Sequence, residues 1–192
     1  MGHPLLSRIE EQLWPNGRGR DIWMIVDAAR DRQIFGMLLN SYFEYSCLYG
    51  GPIPSELEVA APYLVQLEYE DGYSRRLLEN AWGKSWGILL KCNLGLEAVR
   101  RHLRGFLIVR GPRGNRLLFR YYDPRVLRAY LPTCLPDELQ TVFGPIEGFW
   151  TEGETEETML QFQVQRSKLV TKAVSLVGDE KAAESSRLRS TA

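Results

Sequence analysis

The run Ile22-Trp23-Met24-Ile25-Val26 constrains the fold more than any other stretch of this sequence. It is continuously apolar, rich in β-branched residues, and bounded by Asp21 and Asp27, so it offers no polar face to water. A strand of that kind is buried on both sides and belongs inside a sheet that carries helices on its two faces. The remaining periodicity agrees. Apolar residues fall at helical spacing around Leu5, Leu6, Ile9 and Leu13, around Ile34, Phe35, Leu38 and Leu39, and over 75–82 and 96–104. Strands are expected at 45–49, 63–67, 86–91, 106–110 and 116–122, the last two joined by Gly111-Pro112-Arg113-Gly114-Asn115, a link short enough for a hairpin. The expected fold is therefore α/β: a mixed central sheet flanked by helices, with room for two lobes. A weak edge strand is expected at 160–164, and a short C-terminal helical extension at 168–177, where Leu169, Val170, Ala173 and Leu176 are apolar.

The densest local signal is Arg116 to Cys134, RLLFRYYDPRVLRAYLPTC. Leu117 to Tyr122 reads as a mostly buried strand, and Asp123-Pro124 stops it. Asp123 suits an N-cap and Pro124 the first helical position, followed by Val126, Leu127, Tyr130 and Leu131 on one face. Arg125 and Arg128 then lie one turn apart on the other. A second short helix is expected at 137–143, closed by Gly144-Pro145.

With 192 residues, 44% of them hydrophobic, the chain can bury a core as one domain. Lys+Arg and Asp+Glu balance at 24 each, so no net field draws in nucleic acid or an anionic membrane, and neither is expected as a partner. The charge is uneven, however: arginines from Arg100 to Arg128 make the middle basic, and the TEGETEET stretch after Trp150 reads as an exposed acidic link. A protein partner with an acidic patch would exploit that asymmetry. Cys47, Cys92 and Cys134 are widely spaced and lack a CxxC pair, which points to neither zinc nor disulfides and to a reducing compartment. No secretory leader pattern and no apolar run of about 18 to 20 residues is visible, so the expectation is a soluble cytoplasmic protein.

Candidate chemistry is sparse. Asp27 and Asp123 stand at strand ends, where catalytic carboxylates sit in α/β proteins, and with Arg125 they define a small hydrolase or nuclease as the alternative function. Helix capping accounts for both acids without chemistry: Asp123 for the helix behind it, Asp27 for the one beginning near Arg30. His3 and His102 sit in no GxSxG context, the glycine pairs lack a GK[ST] ending, and Cys134 reads as a packed thiol. No cofactor or metal is expected. Trp82 and Trp86, around Gly83-Lys84-Ser85, are core anchors, or else one of them faces a partner. Arg125 is read either as a partner contact or as an internal brace to Asp27 or Asp31, and Arg128 as a partner contact.

Three stretches together, VDAARDRQI at Asp27, AWGKSWGILL from Ala81, and FRYYDPRVLRAYLPTC, resemble the adaptor chaperones of bacterial type VI secretion. That family, long catalogued as a domain of unknown function, is encoded beside valine-glycine-repeat (VgrG) spike proteins and their toxic effectors. The resemblance covers roughly 22–149. It implies a non-catalytic protein whose partners are a cognate effector and the VgrG spike or its tip protein; on their own chemistry, Arg125, Arg128, Trp82 and Trp86 are the candidate partner-binding residues. With the flanking segments read from their own composition, the expected organisation is an N-terminal helix and linker at 1–21, an adaptor domain at 22–150, and an acidic link, extension and mobile tail at 151–192. An immunity protein that neutralises a toxin is a further alternative.

Overall fold

The computed structural model describes residues 4–177; the polar tail expected from Lys181 onward and His3 lie outside the described residues. A seven-stranded sheet is ordered β2-β3-β1-β4-β7-β8-β9. Its strands are β1 (Ile22–Asp27), β2 (Tyr45–Cys47), β3 (Pro62–Leu67), β4 (Gly87–Lys91), β7 (Gly148–Glu152), β8 (Thr158–Gln165) and β9 (Lys168–Ser175). A separate ribbon pairs β5 (Ile108–Arg110) with β6 (Arg116–Leu118). The helices are α1 (Pro4–Leu13), α2 (Arg32–Leu39), α3 (Ser55–Glu58), α4 (Gly72–Ala81), α5 (Leu96–Arg104), α6 (Pro124–Tyr130) and α7 (Pro136–Phe143).

The apolar run is the interior strand its composition requires. β1 is buried along its whole length and paired on both sides. Alternation along it feeds two cores. Ile22, Met24 and Val26 face the layer of α1, α2 and α4, where Ile9, Leu13, Ile34, Leu38, Leu77 and Leu78 pack. Trp23 and Ile25 face the layer of α5, α6 and α7, with Val99, Leu103, Leu127, Leu139 and Val142. The Trp23 indole donates to the Cys92 carbonyl at 3.0 Å, so even its polar atom is matched inside.

The α/β class and the helix-flanked sheet hold, but every described strand pair in the sheet is antiparallel, not mixed. The reason lies in one insertion. β3 and β4 are joined through α4 and run in the same direction, as a strand-helix-strand unit should. They are not neighbours, because β1 slots antiparallel between them. The helical crossover is present; the parallel ladder it normally produces is split.

Three further expectations are corrected. Residues 168–175 form β9, not a helix: their apolar spacing suits either period, and antiparallel pairing to β8 along all of β9 decides for the strand. β8 is consequently interior, and β9 is the edge. The run from Arg116 leaves the ribbon at Leu118 with β6 exposed; the aromatic burial comes at Tyr121 and Tyr122, in the turn before α6. Finally, Thr151 and Glu152 are buried residues of β7, so the acidic link begins only beyond them.

At the other edge, the Arg100 side chain donates to the carbonyls of Cys47 (2.7 Å) and Tyr49 (3.1 Å). A guanidinium thereby occupies acceptors beside β2 that another strand would otherwise use.

Candidate functional site

The three short stretches singled out in the sequence converge at one end of the sheet, where β1 finishes and β4 begins. The Asp27 backbone N–H donates to the Trp86 carbonyl at 2.7 Å, joining the first stretch to the second. The Asp27 carboxylate, 2% exposed, pairs through Oδ2 with Arg120 and accepts from the Ala29 N–H through Oδ1 at 3.2 Å, joining the first to the third. Arg120 also lies over the Tyr122 ring, 5.9 Å from its centroid. Burial raises the Tyr122 phenol well above its ordinary range, with the neighbouring Tyr49 adding to the effect.

Asp123 caps α6 as its position predicts, accepting from the Arg125 N–H at 3.0 Å. It also takes Arg125 as a fork: Nε donates to Oδ1 at 2.9 Å and Nη2 to Oδ2 at 2.6 Å. Burial pushes this carboxyl upward, but the Arg125 hydrogen bonds and the Arg125 and Arg30 charges outweigh it, leaving the group below the usual carboxylate range.

Asp27 does not cap the next helix. Asp31 does, accepting from the Gln33 N–H at 3.0 Å, which frees Asp27 for its buried pair. Nor does Arg125 reach Asp27 or Asp31; its partner is two residues away, on its own turn. Arg128 is a brace as well, its Nη1 donating to the Glu152 carbonyl at 2.7 Å.

Glu152 is the centre of a second knot. Its carboxylate accepts from the Gly83 N–H at 2.8 Å and the Ser85 hydroxyl at 2.7 Å, while its carbonyl holds Arg128. Gly83 at φ +78° and Ser85 at φ +54° make the tight turn that leads into β4. Trp82 is half-buried, with its indole N–H donating to the Glu156 carbonyl at 2.8 Å, whereas Trp86 is 2% exposed and a core residue with no face for a partner.

Arg120 and Glu152 were missed in the sequence, though each left a signal. Arg120 is the only charge between Leu117 and Tyr122, and a guanidinium inside an aromatic run needs an acid to meet it. Glu152 was hidden because it begins an acidic string, yet it directly follows Phe149-Trp150-Thr151 and therefore ends a strand.

The other reactive types are spent on packing. His102 shares Nε2 with the Val142 carbonyl at 2.9 Å and packs against Phe106. The three cysteines are free thiols, and burial raises each above the ordinary thiol range. Among the described residues, no group of three or more His, Cys, Asp or Glu side chains could hold a metal ion, and no helix is long and apolar enough to cross a membrane. Asp27, Asp123 and Arg125, the trio of the hydrolase alternative, are divided between two separate ion pairs.

Fold and site together define a helix-flanked antiparallel sheet, closed at one end by paired aspartates and arginines. The model of the family described as Domain of unknown function (DUF4123) matches residues 22–141, and the chain belongs to that family. No curated protein and no solved structure matches the chain.

Proposed function

We propose that the chain is a non-catalytic adaptor chaperone of a type VI secretion system, binding a cognate toxic effector in the cytoplasm and loading it onto the VgrG spike or its tip protein. The reading is supported by one observation above all. The three stretches on which the resemblance rests lie within the matched family span, and they are knotted together at one end of the sheet, the first to the third by the Asp27–Arg120 ion pair and the first to the second by the Asp27 N–H donating to the Trp86 carbonyl. Such a knot fixes architecture and leaves the exposed surface for recognition. Arg125 contributes to that surface: its side chain is 55% exposed, held as a fork by Asp123. A guanidinium ordered in advance loses less freedom when a partner carboxylate arrives.

The test is genetic and biochemical. Deleting the gene should abolish delivery of the effector without poisoning the producing cell, and tagged protein should co-purify with both effector and spike. Neutralisation of the toxin irrespective of delivery would instead make the chain an immunity protein. A stably folded Arg125→Glu protein should retain less of at least one partner; undiminished capture of both would remove Arg125 from the interface.

A further inference from the structure

The β5–β6 ribbon stands outside the main sheet and carries an unusual surface. Its register sets Arg110 directly opposite Arg116, and Ile108 opposite Leu118. Like charges facing each other across strands are unfavourable. Here the pair is joined by Arg113 at the ribbon's tip and Arg104 at the end of α5, and among the described residues none of these four guanidiniums forms an ion pair. Ile108, Leu117 and Leu118 are all more than 40% exposed. An open groove of about 900 Å³ runs between the ribbon and Leu48, Tyr49 and Gly50, with Arg104 on its wall.

We propose that this ribbon is a docking surface for an acidic, extended segment of a partner protein. The alternation of the strands specifies the segment. One face of the ribbon presents the aliphatic row of Ile108 and Leu118 and, two residues along, the cationic row of Arg110 and Arg116. Rows two residues apart on a strand are separated by about 6.5 Å, the spacing at which an extended partner places successive side chains of one face. A segment with an aliphatic residue followed two positions later by a carboxylate covers both rows at once, and its negative charge relieves the Arg110–Arg116 repulsion. Nucleic acid fits less well, because the exposed side chains beside the arginines are aliphatic and offer bases no stacking platform. The proposal names a surface and a chemistry that the adaptor reading does not, and it stands or falls separately from effector and spike co-purification.

The experiment uses the full chain and a fluorescent synthetic peptide in which leucine and glutamate alternate at every second position, with serine between. Anisotropy at low salt should show binding that weakens as salt rises and is lost when glutamine replaces glutamate. The informative variant is Arg116→Glu, which turns the facing like charges into an opposite pair. It should melt no lower than the parent and yet bind the peptide about tenfold more weakly or worse. A merely structural role for Arg116 cannot move stability and binding in opposite directions. Absence of peptide binding, equal binding of the glutamine peptide, undiminished binding by Arg116→Glu, or a preference for a single-stranded oligonucleotide over the peptide would each overturn the proposal.

Discussion

Removing the Glu152 carboxylate should destabilise the protein well beyond an ordinary surface substitution. Glu152 is 8% exposed, and its two carboxylate oxygens accept from Ser85 at 2.7 Å and Gly83 at 2.8 Å. Hydrogen bonds to a charged group contribute about 1.5–3 kcal/mol each, so the pair sets an upper bound of roughly 3–6 kcal/mol. The donors, however, belong to a turn at the surface, and water can reach them once the side chain is gone. That lowers the expected cost of Glu152→Ala to about 2–3 kcal/mol. In a domain of this size it corresponds to roughly 4–12 °C in Tm.

Ser85→Ala removes one donor and leaves Glu152 its other partner, so it should cost only about 1 kcal/mol. Ser85→Gly loses the same bond but relieves a left-handed backbone that costs a non-glycine residue about 1–2 kcal/mol; it should come out near neutral. Urea unfolding of the single variants and of Glu152→Ala with Ser85→Ala gives the coupling between the two side chains, expected at about 1 kcal/mol. A loss below about 0.5 kcal/mol for Glu152→Ala, or a vanishing coupling, would show that the knot holds nothing and that the turn is set by its glycine alone.

Asp123→Ala should cost about 0.5–2 kcal/mol, while Asp123→Asn, which still caps, should lose less. Because the Asp123 carboxyl is depressed in the fold, its contribution is fully present above the unfolded pKa of about 3.9 and disappears as pH falls through the lower folded value; the gap between wild type and Asp123→Asn in acid titrations should close there. Glu10 has the opposite sign: burial raises it despite Arg75 at 3.3 Å, so Glu10→Gln should be more stable than wild type near neutral pH and lose that advantage in acid, and a reversed trend in the same titrations would refute the assignment. The β8–β9 hairpin closes on Arg166 and Ser167, both at positive φ (50° and 61°), which Asn-Gly adopts more cheaply; that replacement should raise stability by about 1 kcal/mol or more in urea melts. Gly87→Ala should prevent stable folding, seen as lost cooperativity on heating, since a Cβ there would overlap the backbone carbonyl of Ile25 in the adjoining strand.

What could be seen in the sequence was whatever depends on neighbours along the chain. β1 declared itself through unbroken apolarity, α5 through its apolar spacing and closing Gly105, and the Asp123-Pro124 cap through two adjacent residues. Pairings between distant residues could not be seen. The split of β3 and β4 by β1 is a fact about register across 35 residues or more, and β9 is illegible because Leu169, Val170 and Ala173 also suit a helix. The same division runs through the site. Asp27 and Asp123 both stand out in the sequence, but only the Asp123 cap is local enough to read; Asp31 takes the cap expected of Asp27, whose own partner, Arg120, lies 93 positions away.

These pairings bear on what the three stretches are for. A catalytic carboxylate works by keeping an oxygen free for a substrate, and neither aspartate here keeps much: each has one oxygen on an arginine and the other on a backbone N–H, with Arg125 Nε sharing the latter at Asp123. Removing either arginine would leave a buried charge without a partner, which is costly enough to hold both members of a pair in place for stability alone. The residues that make the stretches recognisable are thus explained by the fold they close. On the adaptor reading, choice of cargo falls to exposed side chains, Arg125 among them and the rest outside these stretches. The β5–β6 ribbon suits that task, because Arg110, Arg113 and Arg116, with Arg104 beside them on α5, form none of the ion pairs found among the described residues.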